Sequence, residues 1–81
     1  MEKEFMLLVK KMVKHCFSNP NIHITNITFS SISVKSDKGV EASIYLETGY
    51  LNTCILLSKN NIDYDEFINA DKAFDYIVNK L

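Results

Sequence analysis

Eighty-one residues are too few for two ordinary domains, but with 47% hydrophobic residues they suffice for one core, so residues 1–81 read as a single domain. Lysine supplies every basic side chain and arginine is absent, while the net charge is -1; the chain lacks both an overall field for nucleic acid and the planar fork used for bidentate guanine or phosphate contacts. It is also not acidic enough to imitate DNA. The longest apolar run, Phe5 to Val9, falls far short of the roughly 20 residues that span a bilayer, and the Met-Glu-Lys-Glu start lacks the features of a secretory signal. A cytoplasmic chain with no membrane partner is the expectation.

Residues 2 to 17 show helical periodicity. Phe5, Val9, Met12, Val13, Cys16 and Phe17 form one stripe, and Lys3, Lys10, Lys11 and Lys14 form the other. Leu7 falls among the lysines, either as an exposed singleton or as part of a contact. Ser18-Asn19-Pro20-Asn21 ends the helix, because Pro20 restricts its predecessor and brings no donor. From Ile22 to Ser36 the chain is rich in Ile, Val, Thr and Ser, with apolar pairs at 22/24, 27/29 and 32/34. The parity flips twice, so one long strand needs a bend near Thr25-Asn26 and a bulge near Ser30-Ser31.

Ser36-Asp37-Lys38-Gly39 is a turn whose length follows from register. A three-residue loop with Gly39 in the left-handed region aligns Val34 with Ala42 and Ile32 with Ile44, whereas a two-residue loop would set Val34 against Glu41. A second strand, Val40 to Glu47, then alternates with Val40, Ala42, Ile44 and Leu46 inward. A tight turn at Thr48-Gly49 sets Leu46 opposite Leu51, which places Leu51, Thr53, Ile55 and Leu57 on the same inner face of a third strand ending near Ser58. Asp63 and Glu66 resemble a capping pair for a last helix, whose stripe is Phe67, Ala70, Phe74, Ile77, Val78 and Leu81. Tyr64, Ile68 and Tyr76 lie off that stripe, a mismatch that a kink or restart at Asn69 would remove. The expected fold is α+β, α-β-β-β-α, a three-stranded antiparallel meander with two helices packed on one face.

No residue pattern carries chemistry. His15, Cys16, His23 and Cys54 lack the short spacings of a zinc site, and no Gly-x-Ser-x-Gly marks a nucleophile. Only Gly39 and Gly49 are present, both needed for turns, so no glycine-rich loop cradles a phosphate. Asp63, Asp65, Glu66, Asp71 and Asp75 do not follow a calcium-loop spacing and read as the solvated face and cap of a helix. The expectation is therefore a protein that is not an enzyme and uses no cofactor and no metal. The two cysteines are expected to be reduced and buried.

What remains is surface. Leu7, Tyr45, Tyr50, Leu56, Ile68 and Tyr76 are large side chains that two helices and one sheet face leave outside, and they form the candidate interface. They suggest a protein-binding module that is also a homodimer through two-fold pairing. Abundant Asn, Ile and Lys without Arg is what an AT-rich coding sequence produces. That bias, with the small size, suggests a phage or mobile-element accessory protein that inhibits a host defence factor, in the manner of anti-CRISPR proteins. The alternative is a nucleic-acid-binding accessory domain, because α-β-β-β-α is the element order of double-stranded RNA-binding domains. Those domains begin their last helix with lysines, whereas this chain has Asp63, Asp65 and Glu66 there, so nucleic acid is the weaker expectation.

Overall fold

The computed structural model describes residues 1–81. Helix α1 (Glu2–Ser18) is followed by five strands, β1 (Ile22–Ile27), β2 (Ser31–Ser36), β3 (Glu41–Glu47), β4 (Tyr50–Ser58) and β5 (Asn61–Phe67), and then by helix α2 (Ala70–Val78). The strands form one antiparallel sheet in chain order, β1-β2-β3-β4-β5, with every neighbour joined by a short turn. The class is α+β with both helices on one face, but the expected three strands are five.

Two strands come from segments read otherwise in the sequence. Residues 22–36 are a hairpin rather than one kinked strand. The second parity flip is its turn, where the Thr28 amide donates to the Ser31 carbonyl at 2.8 Å and the two hydroxyls meet at 2.8 Å. The first flip is a bulge, since the register of β1 on β2 slips between Ile24 and Asn26. Residues 61–67 are β5 rather than the start of the last helix. Ile62 and Tyr64 alternate with Asp63 and Asp65 at period two, and β4, nine residues long, offers a free edge on which that alternation pairs. Asp63 and Glu66 therefore cap nothing. The helix starts at Asn69, whose side-chain oxygen accepts from the Lys72 amide at 3.1 Å, as the mismatch of Ile68 and Tyr64 required.

The turns follow the expected register. Val34 lies opposite Ala42, Ile32 opposite Ile44 and Leu46 opposite Leu51. Gly39 and Gly49 have φ of +92° and +87°, the left-handed region that each turn needs.

The inner sheet face presents Ile32, Val34, Ala42, Ile44, Leu51 and Ile55, all fully buried against Phe5, Leu8 and Met12 of α1 and Ala70, Ala73 and Ile77 of α2. Thr53 shares this face and satisfies its hydroxyl by donating to the Asp65 carbonyl at 3.0 Å. The helices are tied at one end, where the Glu4 carboxylate accepts from the Ala70 amide at 2.9 Å and Lys11 meets Asp71 at 2.8 Å. α1 is rotated relative to its expected phase. Leu8 is fully buried, whereas Val13 is exposed and Phe17 is 93% exposed.

One buried polar atom, the Ser36 hydroxyl, finds no partner within the protein. A desolvated hydroxyl without a hydrogen bond opposes folding, and the methyl of alanine does not. Ser36→Ala is therefore expected to match or exceed the parent's stability by up to ~1 kcal/mol in urea unfolding, and a clear loss would reveal a bond that the hydroxyl makes.

Candidate interaction surfaces

With both helices on one face, the other face of the sheet is uncovered. The cross-strand register orders its side chains into rows, because residues directly opposite share a face. One row runs Lys35, Glu41, Leu56, Ile62; the next runs Ser33, Ser43, Cys54, Tyr64; a third runs Ser31, Tyr45, Asn52, Glu66; and Glu47 and Tyr50 close the end. Polar groups here bond along the rows. The Ser33 and Ser43 hydroxyls meet at 2.9 Å, and Lys35 lies 3.4 Å from Glu41. Among them stand apolar and aromatic groups that nothing covers: Tyr64 is 68% exposed, and Ile62 and Tyr45 are also exposed.

Of the six candidate interface residues, this face gathers three, Tyr45, Tyr50 and Leu56. The others lie elsewhere. Leu7 is exposed on α1, and Ile68 is exposed in the link between β5 and α2. Tyr76 is on the helix side of the sheet, half-buried against the core, with its ring 5.2 Å from that of Phe67 and the Lys80 ammonium over it. Burial raises the Tyr76 phenol above its ordinary pKa, the Asp63 carboxylate adds to this, and Lys80 partly opposes it. Ile62 and Tyr64 join the open face only because residues 61–67 form a strand. Their alternation with Asp63 and Asp65 is the signal that could have placed them, but Asp63 with Glu66 also reads as a helix capping pair.

A second uncovered surface follows α1. Met6, Val13 and Phe17 are exposed along the helix, and Ile27 and Phe29 are exposed at the end of β1 and in the turn beyond it. Val9, Val13 and Phe17 line a shallow depression of about 390 Å³, bordered by Lys10 and Lys14. Phe5, Met6, Phe29 and Leu46 line another of about 320 Å³. Val13 and Phe17 belong to the stripe that helical periodicity assigns to the core, so the local pattern gives no sign that they are exposed.

The residues considered for metal or catalysis do not converge. No three His, Cys, Asp or Glu side chains come together. His23 lies 3.2 Å from Asp37 at the sheet edge, while His15 stacks edge-on against Phe74 at 5.4 Å. Both cysteines are free and half-buried rather than fully buried, Cys54 on the open face and Cys16 against the core. Burial raises the Cys16 thiol's pKa, so at neutral pH little of the reactive thiolate is present there. No helix is long and apolar enough to cross a membrane. No family model, no curated protein and no solved structure matches this chain.

Proposed function

We propose that this chain is a small non-enzymatic module that works by binding another protein through the open face of its sheet. The observation that carries this reading is the uncovered five-stranded face, on which Tyr45, Tyr50 and Tyr64 stand among Ser33, Ser43 and Asn52. Tyrosine supplies a large contact area at a low entropic cost, and short polar side chains adapt their hydrogen bonds to a partner, a combination favoured at recognition surfaces. The apolar depressions beside α1 are shallow, and no three His, Cys, Asp or Glu side chains come together, which also favours binding over catalysis. The Arg-free, Asn- and Ile-rich composition directs the proposal toward a phage or mobile element. A host defence factor met in the cytoplasm is then the partner class to try first.

The nucleic-acid alternative loses its topological basis, because the element order is α-β5-α rather than α-β-β-β-α. Its remaining support is the lysines of α1, of which Lys11 is already paired with Asp71.

The test is co-purification from the native host with the parent chain and with Tyr45→Asp and Tyr64→Asp, both at exposed positions. One stoichiometric protein retained by the parent and lost with both variants, at unchanged circular dichroism, is the expected result. Retention on nucleic acid that falls steeply with salt would replace this reading with the alternative.

A further inference from the structure

An open sheet has two edges, and here they differ in kind. β5 carries Asp63, Asp65 and Glu66 within seven residues. Asp63 and Asp65 sit opposite Ile55 and Thr53, on the helix side of the sheet. Inward-pointing charges protect an edge, because a strand added there must desolvate them and a like edge would repel them. β1 is the opposite case. Ile22–Ile27 contains no Lys, Asp or Glu, and it pairs on one side only, with β2.

The helix lying over β1 is α1, and β1 meets no other helix to the same extent. Glu4, Lys11 and His15 of α1 meet Ala70, Asp71 and Phe74 of α2. At 100° per residue, Val9, Val13 and Met6 lie on the far side of the helix from that contact, and Phe17 follows them. A strand edge that carries no Lys, Asp or Glu and is interrupted only by the bulge at Thr25, and an apolar helix stripe, are thus stacked on one side of the molecule.

We propose that this flank is the interface of a two-fold homodimer, in which β1 adds antiparallel to β1 of a second copy and the two α1 helices pack through Val9, Val13 and Phe17. A lone peptide strand could fill the edge but would leave the helix stripe bare, and a lone helix would leave the strand unpaired. A second copy presents a strand beneath a helix at the same spacing, and two-fold symmetry brings both together. The helix has 17 residues, so the strip is about 25 Å long, with layers on the order of 10 Å apart. At about 25 Å by about 20 Å, such a strip buries on the order of 1,000 Å² in total, just under the ~1,200–2,000 Å² of standard complexes, so the pairing is of the weak, concentration-dependent kind. The bulge at Thr25 limits regular strand pairing to the residues on either side of it, so the apolar helix contact supplies most of the attraction. Lys10 and Lys14 of both copies meet at the rim, and their repulsion sets a signature: added salt tightens the dimer by screening. This pairing leaves the open face free and does not depend on what binds there.

Light scattering after size exclusion at tens of micromolar is expected to give twice the 9.3 kDa chain mass, with the dimer fraction rising between about 0.05 and 0.5 M salt. Val13→Lys and Phe17→Lys, at exposed positions that accept a good helix former, are expected to weaken the dimer at least tenfold with unchanged circular dichroism. Tyr64→Asp is expected to leave it intact. Amides of β1, and none of β5, should exchange faster on dilution. A mass of 9.3 kDa across the range would overturn the proposal. So would a dimer that survives both lysine variants but is lost on Tyr45→Asp or Leu56→Asp, which would place the contact on the open face.

Discussion

Leu8→Ala is expected to lower the free energy of unfolding by about 3 kcal/mol, whereas Phe17→Ala, nine residues along the same helix, is expected to change it by less than about 0.5 kcal/mol. Leu8 is fully buried in the cluster formed by Phe5, Met12 and the inner sheet face, so truncation removes its transfer energy and leaves a cavity that the surrounding strands cannot close. Phe17 is 93% exposed and gives up almost no packing. For a domain of this size, ~3 kcal/mol corresponds to roughly 12–24 °C in Tm, a difference that thermal melts of dilute protein resolve without ambiguity. Dilution matters, because a dimer held by Phe17 would add concentration-dependent stability to the parent and to Leu8→Ala but not to Phe17→Ala. Equal losses for the two variants would mean that α1 sits in the phase with Phe17 inward.

That contrast shows where periodicity stops being informative. α1 has apolar residues on well over half its circumference, and Phe5, Met12 and Val9 are compatible with two rotations of the stripe. The lysines favour the rotation that exposes them, but the ties to α2 through Glu4 and Lys11 decide it, and those are contacts across 66 and 60 positions of chain that no local pattern contains. The turns were legible for the converse reason. Gly39 and Gly49 each close a hairpin in which a slip of one residue would expose an entire apolar set, so local sequence and register make the same demand.

The open face was legible through β3 and β4, where Tyr45, Tyr50 and Leu56 alternate with buried neighbours, and was lost at β5. There Asp63, Asp65 and Glu66 suit a helix start as well as they suit a guarded edge, and the choice is made by the free edge of β4. Leu7 and Ile68 are exposed without belonging to either surface. Tyr76 leaves the helical stripe, which marks it as surplus to the core, yet it packs on Phe67, which β5 carries to the rim of the core.

The carboxylates of β5 also make the second large effect. Asp63→Thr combined with Asp65→Thr is expected to leave the fold and its Tm nearly unchanged while giving a variant that scatters light at tens of micromolar, where the parent is expected to stay clear. The stability side is small. Asp63 lies 3.4 Å from Lys80 with both side chains more than a third exposed, an ion pair worth less than about 1 kcal/mol, and threonine returns some of this through its preference for strands. The solubility side is not small. Without the two inward charges, β5 becomes a second unguarded edge, and the molecule then offers β1 on one side and β5 on the other. Because β1 already joins two copies, β5 lies at both ends of the joined sheet, and β5-to-β5 pairing of successive dimers propagates, whereas the parent's pairing through β1 stops at two. Turbidity and right-angle scattering against concentration, beside melting curves of the same samples, separate the two effects. Scattering that rises with concentration at an unchanged Tm is the expected result. A variant that stays as clear as the parent would show that these charges do not guard the edge, and it would remove the contrast between β1 and β5 on which the two-fold pairing rests.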